Sequence, residues 1–170
     1  MKSLPKLVSM SFLALMAALI LAACTTQLSE TADGAPLARQ ITASDQCGIG
    51  SEGLAYVSDE DDLARLGEWS MQNLSMKPIR ALDFDREHIL VIGLGQKPTG
   101  GYGLTLANSR IVGDTLKITV ILRRPPADAM VTQVLTTPCA VMAVTPRHWD
   151  KIEVTGNGLE TLSLNRKHSR

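Results

Sequence analysis

Leu90-Val91-Ile92-Gly93-Leu94-Gly95-Gln96-Lys97-Pro98-Thr99-Gly100-Gly101-Tyr102-Gly103-Leu104-Thr105-Leu106 decides how this chain folds. A short, continuous apolar run enters a loop of Lys97, Pro98, Thr99 and two adjacent glycines. The run has the length and β-branching of a strand buried on both faces. On the way out, Tyr102, Leu104 and Leu106 alternate with Gly103, Thr105 and Ala107, the period of a strand with one face in the core. Pro98 fixes one φ angle and donates no N–H, while the glycine pair reaches φ values that a Cβ disfavours. The pattern predicts a shaped loop at the tip of a strand pair.

Upstream, the charged segment Asp83-Phe84-Asp85-Arg86-Glu87 leads into a central strand over 88–95. Leu37 to Ala43 and Gly53 to Val57 read as earlier strands. Ser58 reads as the N-cap of a helix with acids in its first turn, Asp61 standing at the capping-box position. Leu63, Leu66 and Trp69 or Ser70 recur at helical spacing, which predicts one helix over about 59–72, anchored by Trp69 and broken by Lys77-Pro78. Downstream, strands are expected over 102–108 and 115–122, joined by a turn at Val112-Gly113-Asp114-Thr115. Arg123-Arg124-Pro125-Pro126 ends the second of them, because two prolines remove consecutive donors. Ala127 to Thr137 is a longer connection with little charge. Cys139 to Val144 reads as an apolar strand, and 150–155 with 159–164 as a hairpin about Gly156-Asn157-Gly158. These signals predict a single β-rich α+β domain over 37–170, an antiparallel, sandwich-like sheet arrangement with one helix.

Residues 1–23 have the layout of a secretory signal: Lys2 and Lys6, an apolar run from Leu7 to Leu21, then small residues. Leu21-Ala22-Ala23-Cys24 resembles a bacterial lipobox, which makes Cys24 the expected lipid-bearing residue and 24–36 a tether. Several acyl chains on one residue anchor stably where one chain does not. By the same resemblance, Thr25 after the Cys favours the bacterial outer membrane, facing the periplasm. Cys47 and Cys139 then remain, an even pair in an oxidising compartment. We read them as a disulfide. Two buried free thiols and a nucleophilic Cys139 are the alternatives, and no His stands near Cys139 on a recognisable template.

The 170 residues carry 17 basic and 17 acidic side chains. Without Lys2 and Lys6 the balance is 15 against 17, about −2, which leaves no electrostatic footprint for nucleic acid. His88, His148 and His168 are scattered without metal-ligand spacing. Gly93-Leu94-Gly95 with Gly100 does not match GxGxxG, and the residues after it are patterned as a strand. No GxSxG elbow is present. Asp83 and Asp85 are flanked by Arg86 and Lys77, the pattern of a solvated turn. We therefore expect no enzyme, metal or cofactor. What remains is surface: Lys97 to Tyr102 and the Arg123–Pro126 corner stand at ends of neighbouring strands, where binding loops are common.

Asp83-Phe84-Asp85, Ile89-Leu90-Val91-Ile92 and Gly95-Gln96-Lys97-Pro98-Thr99-Gly100-Gly101-Tyr102 resemble the C-terminal domain of PrcB-type protease-complex subunits. Arg124-Pro125-Pro126, Thr136-Thr137-Pro138 and the upstream strand, acidic helix and Trp69 continue the likeness, over roughly 50–145. Gly103 stands where that pattern has a bulkier residue. The resemblance implies an exported, lipid-anchored, non-catalytic protein that binds or stabilises a protein partner such as an exported protease complex. The expected contacts are Lys97, Pro98, Thr99, Gly100, Gly101, Tyr102 and Arg124. A second likeness is to chagasin-type inhibitors of cysteine proteases, which present a Pro-Thr-rich loop and an Arg-Pro-Trp loop in this order; here the Asn and the Trp of those loops, and the middle glycine loop, are missing. It implies a protease inhibitor, and a purely structural envelope lipoprotein is the third reading.

Overall fold

The computed structural model describes residues 34–68 and 73–166; the expected signal, Cys24, most of the tether, Trp69 and His168 lie outside them. At the centre is β3 (His88–Leu94). Leu90, Ile92 and Leu94 face one core, and Ile89 and Val91 face another, all with no exposed surface. A strand covered on both faces has no polar side to alternate, which explains the continuous run. β3 lies between β2 (Glu52–Val57) and β6 (Cys139–Val144), with β1 (Ala38–Ser44) beyond β6, all antiparallel. β6 repeats the logic, with Ala140, Met142 and Val144 on one side and Cys139 and Val141 on the other.

The second sheet runs β4 (Gly103–Val112), β5 (Thr115–Arg123), β7 (Lys151–Gly156), β8 (Leu159–Asn165). Leu116, Ile118, Val120, Ile152 and Val154 fill the space against the first sheet. β5 and β7 are parallel, so this sheet is mixed and not antiparallel throughout as expected. The reason is β6: it belongs to the other sheet, so the chain crosses over and returns in the same sense.

The helix side also differs from the expectation of one helix over 59–72. Among the described residues there are two short helices on this side, α1 (Glu60–Gly67) and α2 (Met76–Arg80), and 69–72 of the expected helix lie outside those residues. Asp59, not Ser58, is the N-cap, accepting from the Asp62 N–H at 2.8 Å, and the Ser58 hydroxyl turns to Asp62 Oδ2 at 3.2 Å. A carboxylate one residue later satisfies the first-turn donors as well as a hydroxyl does. Pro78 sits in the first turn of α2, where its missing N–H has no helical acceptor to lose. Leu63, Leu66 and Ile79 pack beneath the helices on Ile89 and Val91.

Where the sheets meet, Gln40 stands in for backbone pairing between β1 and β4. Its Nε2 donates to the Leu104 carbonyl at 3.3 Å, and its Oε1 accepts from the Leu106 N–H at 2.9 Å. Both strands shift register beside it. Gln40→Leu leaves two backbone groups without these partners, so we expect a loss of about 1–3 kcal/mol in urea unfolding with an unchanged m-value.

On the far side of the sandwich, Trp149 is 2% exposed, donates to the Thr145 carbonyl at 2.6 Å and meets Tyr56 edge-on at 5.6 Å. Burial pushes the Tyr56 phenol up to about 12, and its hydroxyl is hydrogen-bonded with His88 Nδ1, 2.5 Å away. His88 is held below the ordinary imidazole value, chiefly by burial and further by Arg166; the Phe84 backbone and Asp59 pull the other way. Unfolded histidine takes a proton near 6.5 while folded His88 does not, so stability falls as pH drops below about 6.5. Urea midpoints at neutral and mildly acidic pH should show that fall, and His88→Gln should diminish it.

Candidate functional site: a clamped loop tier

Three connections meet at one end of the sandwich: 45–51, 95–102 and 124–138. Gly95 opens the middle one at φ +67°, and a Cβ there would sit 2.8 Å from the Glu52 backbone nitrogen. Glycine is needed twice over, for conformation and for space. The Leu94 N–H donates to Pro138 O at 2.8 Å, and the Gln96 N–H to Gly50 O at 3.1 Å. Lys97 and Thr136 exchange both backbone bonds at 2.8 and 2.9 Å, and the Gly100 N–H donates to Thr132 O at 2.9 Å. Thr136 Oγ1 donates to the Thr99 carbonyl at 2.9 Å. The first connection is tied in the same way, with Cys47 donating to Thr137 O at 3.0 Å and Thr137 to Asp45 O at 2.8 Å. A Cys47–Cys139 disulfide, Cα atoms 6.0 Å apart, fastens it to the first residue of β6. The glycine loop is thus bonded on both sides, to 45–51 through Gln96 and to 124–138 through Lys97 and Gly100, and is not a free tip.

The meander brings the Arg-Pro-Pro corner against this loop. Gly101, at φ +90°, leaves room for a Cβ only 3.1 Å from Pro125 Cβ and 3.2 Å from Val131 Cγ1. Pro98 and Gly101 are exposed, and Lys97, Thr99, Gly100 and Tyr102 are half-buried. Lys97 Nζ pairs with Glu52 at 3.1 Å, Thr99 Oγ1 donates to Gly100 O at 3.1 Å, and Tyr102 packs on the core between the sheets. Arg124 is not gathered with them; its guanidinium donates to the Gly158 carbonyl at 2.5 Å, in the β7–β8 turn. Its neighbour Arg123 lies across Gly103, 3.2 Å from where a Cβ would be.

Other residues of the tier escape a reading of the sequence by motif. Val112, Ile121, Met130, Val134 and Leu135 are the large apolar side chains exposed among the described residues, and three of them fall within 130–135. Met130 is fully exposed and Leu135 is 62% exposed. The low charge of 127–137 is their only signal. Among the described residues, no three His, Cys, Asp or Glu side chains converge into a metal-holding group.

No curated protein and no solved structure matches the chain. Residues 88–145 do match a family model, from the first residue of β3 through the glycine loop, the β4–β5 hairpin and the apolar connection to the end of β6. Over two of the three connections of the loop tier, 95–102 and 124–138, and the strands that carry them, this chain therefore resembles the PrcB C-terminal family.

Proposed function

We propose that this protein is a non-catalytic, lipid-anchored subunit of the bacterial envelope that docks on a protein partner through its loop tier. The PrcB family name points to an exported protease complex as that partner. One observation carries the reading: Met130, Val134 and Leu135 stand exposed on a segment whose backbone is clamped to the glycine loop. Clustered exposed apolar side chains mark interaction sites. A segment already held in place loses little conformational freedom on docking. The Leu21-Ala22-Ala23-Cys24 motif supports the lipid anchor, and the disulfide accords with an oxidising compartment such as the periplasm.

Thr99 and Tyr102 are spent largely on internal contacts, so substituting them confounds binding with folding. Met130→Lys with Leu135→Lys changes only exposed positions. Crosslinked membranes from cells making full-length wild type should yield an exported partner, a protease on this reading, that the double variant recovers at least about tenfold less. Cys24→Ser should release the protein from membranes. Equal recovery from both proteins, or no partner from wild type, overturns the proposal.

A further inference from the structure

Beyond Gln40, the edges of β1 and β4 part and open a cleft of about 520 Å³, within the range of ligand sites. Because the Leu104 carbonyl and the Leu106 N–H both turn to Gln40, strand alternation directs the Leu104 N–H and the Tyr102 carbonyl into the same seam. The β4 wall of the cleft carries Gly103, whose missing side chain lets the Arg123 guanidinium lie across the strand toward the cleft. Arg123 lies over Gly103 and has no carboxylate partner among the described residues. Asp45 stands on the opposite wall.

We propose that this cleft receives an extended peptide segment of the partner protein, which adds to the β4 edge at Tyr102 and Leu104 and sets an acidic side chain on Arg123. An edge with open N–H and C=O groups is a template for strand addition. A guanidinium fork holds a carboxylate with charge-assisted bonds. Asp45 repels an acid from the other wall, so the charges fix which side of the segment faces β4. The inference rests on the protein-docking reading above but concerns a different surface from Met130 and Leu135.

The test uses full-length protein in detergent micelles and a fluorescein-labelled, end-blocked peptide, Thr-Val-Asp-Val-Thr. Saturable binding is expected, with amide shifts at Tyr102 and Leu104. Replacing the peptide Asp by Asn, N-methylating its backbone, or making Arg123→Gln should each weaken binding by roughly tenfold or more. No saturation at millimolar peptide, or equal affinity for Arg123→Gln, overturns the proposal. The two surfaces separate cleanly. Peptide binding that survives Met130→Lys with Leu135→Lys supports the cleft whatever happens to partner capture, whereas capture without any peptide binding overturns the cleft and leaves the tier standing.

Discussion

Reducing the Cys47–Cys139 bridge is expected to lower the thermal midpoint by roughly 8–16 °C. The two cysteines are 92 residues apart in sequence, and closing a loop of that size removes denatured-state entropy worth about 4 kcal/mol. For a domain of this size each kcal/mol moves the midpoint by about 2–4 °C. Circular-dichroism melts with and without reductant measure it directly. Cys47→Ala with Cys139→Ala should fall at least as far, because both sulfurs are buried and their removal adds a small void. The native contacts that remain, Cys47 to Thr137 and Thr137 to Asp45, keep the first connection near its place, so the reduced protein should still fold in the cold. A melt indifferent to reductant would mean that the cysteines do not pair in the protein.

The strands are legible in the sequence because burial writes itself into the chain with a period. Ile89 to Leu94 is continuous since both sides of β3 are covered, and Leu116, Ile118 and Val120 alternate since only one side of β5 is. The turn at Gly113, φ +62°, is equally plain. The hidden features depend on partners far away in sequence. That β6 leaves one sheet for the other, and so makes β5 and β7 parallel, is decided by which surfaces Ala140 and Val141 find. Local signals near Ser58 cannot choose between two adjacent capping oxygens. Lys77-Pro78 reads as a break, yet a proline in a first turn leaves the helix intact.

The site is legible in outline for a similar reason. Pro98 and the adjacent glycines 100 and 101 announce a shaped loop, and the strand lengths place it beside the proline corner, as Gly101 and Pro125 bear out. Motif reading assigns chemistry to conspicuous residues, however, and here those are the ones the fold consumes: Lys97 goes to Glu52 and Arg124 to Gly158. The side chains left over are the plain ones, Met130, Val134 and Leu135, together with Arg123. A cation next to two prolines carries no mark of whether it or its neighbour will be held.

Trp149 is the strongest case of a residue that matters without a pattern, and Trp149→Ala is expected to cost about 3–5 kcal/mol in urea unfolding. It stands between Pro146 and β7, outside any periodic run, and His148 at φ +68° turns the chain just before it. Its indole then fills the core beside Tyr56 while Nε1 reaches Thr145 O, so area, edge-on ring contact and hydrogen bond are lost together. Arg166 covers it from outside, its guanidinium 4.4 Å from the ring centroid, and donates to the carbonyls of Pro146 and Trp149. Trp149→Phe separates these terms: most of the apolar area stays, the Nε1 donor goes, and the loss should shrink to about 1–2 kcal/mol. Arg166→Gln removes the cation over the ring and should cost about 0.5–2 kcal/mol. If alanine at 149 costs under about 1 kcal/mol, the indole does not pack as described.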